Sequence, residues 1–120
     1  MSPNALDLPA IMARVTQAVS NQQLSATAAE NIRSWLSEER YAAYAPLVIE
    51  HVNNNQWQEL DDAFWTVIPF GTGGRRGRMY SIGSNTINDR TMGESARGLA
   101  DYMRQVTPDD QALACAIAYD

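Results

Sequence analysis

The stretch Phe70-Gly-Thr-Gly-Gly-Arg-Arg-Gly-Arg-Met79 holds the residue types in this chain best suited to chemistry. Glycines allow backbone conformations that other residues resist, so N–H groups can converge on an oxyanion. Arg75, Arg76 and Arg78 add guanidinium charge, which does not titrate away in a protein. This composition points to a phosphate or a carboxylate. Phosphate is favoured, because a guanidinium fork matches its oxygens in pairs. An exposed turn carrying solvated arginines remains open as the plainer reading.

Other chemistry-bearing residues are thinly spread. His51, the single histidine, has no cysteine or carboxylate at metal-ligand spacing and reads as a solvated residue near a helix end. Ser81, Ser84 and Ser95 lack the partners that activate a nucleophile. Cys115, the lone cysteine, excludes an internal disulfide. It lies in an apolar run and reads as a buried, inert thiol compatible with a reducing cytoplasm. The net charge of −5 over 120 residues makes the arginines a local positive island on an acidic protein. That balance favours a small anionic ligand over a nucleic acid. No apolar run reaches the length of a membrane span, and no signal peptide is visible, so the expectation is a cytoplasmic protein without membrane association.

The elements that must position the arginine segment follow from periodicity. Residues 1–65 read as helical throughout. Ile11, Met12, Val15, Ala18 and Val19 form one stripe after Pro9. Thr27-Ala-Ala-Glu30 has the form of a capping box before Ile32, Trp35 and Leu36. Pro46 opens a third helix with Leu47, Ile49 and Val52, and Trp57, Leu60 and Phe64 are spaced for a fourth. Trp35, Trp57 and Trp65 read as core aromatics. Thr66–Phe70 then reads as a short strand with Pro69 at its edge, and Met79–Ile82 as another. Thr91-Met-Gly-Glu94 is a second capping-box candidate, and Met92, Ala96, Leu99, Ala100 and Met103 are expected to face inward. Ala112–Tyr119 is a continuous apolar run, as expected for a strand covered on both faces. Strand, helix, strand opens an α/β layered domain, and two strands make an incomplete sheet.

Three motifs in order carry a resemblance: the segment 70–79, then Gly83-x-Asn85-x-x-Asn88, then Gly98-Leu-Ala-x-Tyr102. Together they resemble the start of the first domain of the α-D-phosphohexomutases, which include phosphoglucomutases and phosphomannomutases. The residues upstream are similar to the N-terminal extension of the longer phosphoglucomutase and phosphopentomutase branch. The terminal Ala-Cys-Ala-Ile-Ala-Tyr-Asp120 resembles the strand that leads to that family's catalytic serine. The resemblance implies two parts. Residues 1–65 are a helical extension, and residues 66–120 are the first strand-helix-strand portion of a three-layer α/β/α domain, stopping before the phosphoserine loop. It implies an enzyme that interconverts sugar 1-phosphates and 6-phosphates, or pentose 1- and 5-phosphates, through a phosphoserine and a bisphosphate. Arg76 matches the family arginine beside the phosphoserine. Gly71, Thr72, Gly73, Gly74, Arg75 and Asn88 would shape or line the substrate phosphate site. Arg75 departs from the family, which usually has leucine or another apolar residue there. Mg²⁺ and a glucose 1,6-bisphosphate-type activator are implied, with the metal ligands and the serine outside this chain.

On that resemblance the 120-residue chain is expected to be inactive alone. The alternatives are a freestanding anion-binding module, or an assembly module whose unpaired sheet edges self-associate.

Overall fold

The computed structural model describes residues 8–71 and 74–117. Four helices form its body: α1 (Leu8–Ser20), α2 (Ala26–Ser37), α3 (Ala45–Asn53) and α4 (Trp57–Phe64), with a 3₁₀ turn at Glu39–Tyr41 between α2 and α3. Their periodicity explains them. Ile11, Val15 and Ala18 of α1 are buried against Ala28, Ile32 and Trp35 of α2, Val48 and Val52 of α3, and Leu60 and Phe64 of α4. Trp35 organises the centre: Tyr41 stacks on it at 4.6 Å between ring centroids, and Phe64 meets it edge-on at 5.2 Å. Offset and edge-on pairs of this kind add to the burial they accompany.

The helix starts differ in detail from the sequence expectation. Ser25, not Thr27, caps α2, its hydroxyl accepting the Ala28 N–H at 3.2 Å. Pro46 does lie in the first turn of α3, where its missing N–H costs nothing. Leu47 is more than a third exposed and Trp65 more than half, so neither belongs to the core.

The segment after α4 packs against this body through two isoleucines. Ile68 and Ile82 are fully buried. The Ile68 N–H donates to the Ser84 carbonyl at 2.8 Å, and the Asn85 N–H donates to Ala63 at 2.9 Å. Between these anchors lies a small antiparallel ribbon of β1 (Phe70–Gly71) and β2 (Gly74–Arg75), pairing Phe70 with Arg75 and Gly71 with Gly74. Beyond it, Met79 and Ile87 form one parallel bridge, and α5 (Asp89–Val106) follows.

The described residues do not show the expected α/β layering. The protein is mostly helical, and its only sheet among the described residues is that ribbon of two two-residue strands. Thr66–Pro69 is irregular, because Pro69 has no N–H to give a ladder. Met79–Ile82 supplies only the Met79 bridge. Residues 112–117 of the expected terminal strand are irregular and exposed, and Cys115 with them. A strand of that apolar kind is held by neighbouring strands and by layers on both faces, and none lie beside it among the described residues. Met92 and Leu99 of α5 are exposed for the same reason; of that helix only Thr91 is buried. The radius of gyration, 17.3 Å, exceeds the roughly 13 Å of a compact 100-residue domain, as expected when α5 and the residues after it extend from the helical body.

Candidate functional site

The arginine segment runs alongside the first turn of α5, held there by its own residues. The Ile87 N–H donates to the Arg78 carbonyl at 2.8 Å, and the Tyr80 N–H to Ile87 at 3.2 Å. One guanidinium nitrogen of Arg75 donates to the Thr91 carbonyl at 3.2 Å, and the Arg75 guanidinium lies over the Phe70 ring at 4.6 Å. Two residues of the segment, Arg75 and Arg78, are thereby fastened to residues 87–91. The exposed Arg76 lies between them.

Gly74 turns the ribbon with φ of +120°, a conformation L side chains rarely adopt, and a Cβ there would meet nothing within 4 Å. The glycine is thus required by backbone conformation rather than by crowding. Gly83 is required on both counts. Its φ is +116°, and a Cβ would come within 2.5 Å of the Ala63 carbonyl oxygen.

Asn88 is the N-cap of α5. Its Oδ1 accepts the Thr91 N–H at 3.0 Å, and the Asn88 N–H is returned to Thr91 Oγ1 at 3.0 Å. Its Nδ2 donates to the Gly83 carbonyl at 3.0 Å and to Thr86 Oγ1 at 2.9 Å. Thr91 Oγ1 donates in turn to the buried Thr86 carbonyl at 2.7 Å. The capping box therefore joins Asn88 to Thr91, three residues before the Thr91–Glu94 pairing read from sequence. A cleft of about 350 Å³ opens beside this cap, lined by Tyr44, Met79, Tyr80, Ser81, Ile87, Asn88 and Asp89.

The three arginines have different surroundings. Arg75 is half-buried between Phe70 and Thr91, with its Nε buried and unpartnered among the described residues. Arg78 lies over the Tyr80 ring at 4.5 Å. Arg76 is exposed, and no ion pair among the described residues takes up its charge. Gly71 and Gly74 are the paired ends of the ribbon, whereas Thr72 and Gly73 lie outside the described residues. Arg75 and Asn88 thus meet at Thr91 in the first turn of α5, both already bonded within the protein, and Gly74 precedes Arg75 in the ribbon.

Sequence reading missed one cluster. His51 is buried, at 8% exposure, rather than solvated. It bonds Tyr80, and Tyr80 bonds Glu59. Its place three residues after the buried Val48 was the available signal, since that spacing puts both on one helix face.

The first turn of α5 is already capped by the Asn88–Thr91 box, and of the three arginines only Arg75 bonds to it, while Arg76 faces solvent. Over 89 residues, 74% of the chain, the sequence is 30% identical to the phosphoribomutase of Saccharomyces cerevisiae. The similarity suggests a relationship of phosphohexomutase type. It is partial: the matched stretch spans 14% of the yeast protein. No protein-family model matches the chain, and no solved structure does. Among the described residues no helix is long and apolar enough to cross a membrane, and no group of three His, Cys, Asp or Glu residues is placed to hold a metal ion.

Proposed function

We propose that this chain corresponds to the N-terminal part of a phosphohexomutase-type enzyme acting on sugar phosphates, and that residues 70–79 form one wall of its phosphate site. The observation that carries this reading is the 30% identity to a phosphoribomutase over 89 residues, coupled to three motifs in family order. In this reading residues 1–65 are a helical extension and residues 66–120 begin the catalytic domain. Arg76 stabilises charge on a phosphoryl group during transfer between an enzyme serine and the sugar. Phosphoryl transfer depends mainly on positioning and on such charge stabilisation, so an exposed guanidinium next to a glycine-bearing ribbon suits it. Arg75 supports the ribbon and Asn88 fixes the α5 start that faces it.

Mg²⁺ belongs to the chemistry of the resemblance, where it would neutralise phosphoryl charge. The described residues offer no donor cluster that fits it, so no step runs through the ion. The chain by itself binds a sugar phosphate weakly and does not turn it over.

The test is titration of ribose 1-phosphate and of inorganic phosphate into the ¹⁵N-labelled chain. Shifts confined to Gly74–Arg78 and residues 87–91, lost in Arg76→Ala, are expected. Absence of any shift at millimolar ligand, or mutase turnover by the chain alone, would overturn the assignment. A freestanding anion-binding module would bind phosphate alike, and is distinguished by a coding sequence with no serine-bearing continuation after Asp120.

A further inference from the structure

The helix α5 extends from the helical body, and of its side chains only Thr91 is buried. Met92, Leu99 and Val106 recur every seven residues, Tyr102 follows Leu99 by three, and all four are about half or more exposed. Steps of seven and three return to one side of a helix, so the four form a single apolar stripe. Gly98 stands beside Leu99, and a Cβ there would meet nothing within 4 Å. No contact within the chain requires that glycine, and it leaves room for a second backbone to come close.

The charges of α5 keep off the stripe. Glu94, Arg97, Asp101 and Arg104 lie two or five residues from Leu99, and a turn of 3.6 residues carries those positions to the opposite side. There Arg97 pairs with Asp101 at 3.1 Å, and Arg104 lies 3.8 Å from the same carboxylate. Together with Asp89 and Arg90 they leave the helix with as many acidic as basic residues, on a protein whose net charge is −5. Two copies can therefore approach along α5 without the repulsion that the rest of the surface imposes.

We propose that the 120-residue chain pairs with a second copy of itself through α5, the two helices antiparallel and crossing at Leu99. The sequence is self-complementary in that register. Reversal about Leu99 sets Met92 against the second copy's Val106, and Ala96 against its Tyr102, small against large. It also brings Arg97 level with the second copy's Asp101, and Glu94 level with its Arg104, so no like charges come level. A parallel pair would set every charge level with its own kind. A closed two-fold dimer needs a patch that complements itself in this way. Pairing also supports the helix, whose Gly93 and Gly98 lower its intrinsic stability. This inference stands apart from the phosphate site, since no residue of the arginine segment takes part.

The test is the oligomeric state of the chain in solution. The seam is one helix wide and about 27 Å long, so a weak dimer with a Kd on the order of 10–100 μM is expected. Sedimentation equilibrium should pass from monomer at about 1 μM to dimer at about 500 μM, following that affinity. Leu99→Glu and Met92→Glu, both at exposed positions, should each remain monomeric throughout. Orientation is read in a Cys115→Ala background. Leu99→Cys should form a disulfide between copies under mild oxidation, whereas Met92→Cys should not, because the crossing holds its two copies about 21 Å apart. A monomer at the highest concentration, a dimer that survives both glutamate variants, or equal cross-linking at 92 and 99 overturns the proposal. None of these readouts involves phosphate, so the dimer and the phosphate site fail separately.

Discussion

Arg75 lies over the ring of Phe70, its cross-strand partner, and also donates to the Thr91 carbonyl in the first turn of α5. One side chain thus staples the glycine ribbon to the helix that follows it. This explains an arginine where an apolar residue is expected from the resemblance: its stem and stacked face do the packing, and its tip reaches one backbone acceptor. The neighbouring Arg76 has no such engagement and faces solvent.

The two arginines are therefore separable by mutation. Arg75→Leu keeps the apolar contact, loses one hydrogen bond and removes the buried, unpartnered Nε. Its net effect on stability is within about 1 kcal/mol, because a lost bond and a relieved polar atom offset each other. Phosphate affinity is unchanged. Arg76→Leu leaves stability unaltered and weakens phosphate binding by about tenfold or more. Parallel chemical-denaturation and phosphate-titration series check both halves; equal losses of affinity in the two variants would sink the distinction.

Asn88→Ala removes a cap and two further bonds together. The Thr91 N–H loses its acceptor, and the Gly83 carbonyl and Thr86 hydroxyl lose a donor. A cap alone is worth about 1 kcal/mol, and the interior partners left unpaired bring the expected loss to about 2–3 kcal/mol. Asn88→Asp keeps the cap acceptor but sets a carboxylate against the Gly83 carbonyl, so it retains only part of the stability. Urea denaturation ranks the three, and an alanine variant as stable as the parent contradicts this role for Asn88.

Gly83→Ala combines a steric clash with backbone strain. The obstacle within 2.5 Å is the Ala63 backbone oxygen, which cannot swing aside as a side chain could, and φ of +116° strains any L residue. The expected cost is about 2 kcal/mol or more. Gly74→Ala shares the unfavourable φ but meets open space, so a smaller loss, about 1 kcal/mol, is expected from the backbone alone. Thermal denaturation of the pair tests whether crowding or backbone conformation dominates at residue 83.

The helical body was legible because its information is local. Val15, Ile32 and Leu60 lie at helical spacing within their own elements, and each is fully buried. The inward face of α5 was not legible in the same way. Met92 and Leu99 mark a stripe that seeks cover, but a stripe does not say whether cover is present, and both are exposed. The same limit applies to residues 112–117, where apolar composition predicts a covered strand and the backbone partners lie beyond what composition encodes. At the site, glycine and arginine content pointed to residues 70–79 without showing which arginine is free. That depended on Phe70 and Thr91, one opposite in the ribbon and one sixteen residues away. The contact of His51 with Tyr80 was hidden for a further reason: the two are twenty-nine residues apart and meet only through tertiary packing.

The alkaline limb of stability tests Tyr80 independently of His51. Burial first, then the hydrogen bond to Glu59 and the Glu59 charge, raise the Tyr80 phenol above its usual value of 10.0, with Arg78 pulling the other way. The folded state therefore holds the phenolic proton more tightly than the unfolded chain does. Stability from this group is fully present below about pH 10 and is lost as pH rises through the higher, folded-state value. Tyr80→Phe should flatten that limb, since no phenolate can form at the site. Glu59→Gln should bring the phenolate transition back toward its usual position, because two of the three raising influences come from that carboxylate. Phenolate absorbance resolves the transition against the other tyrosines by difference between parent and Tyr80→Phe. If the Glu59→Gln difference spectrum titrates where the parent's does, burial alone controls Tyr80, and the carboxylate contact carries no weight in holding the segment.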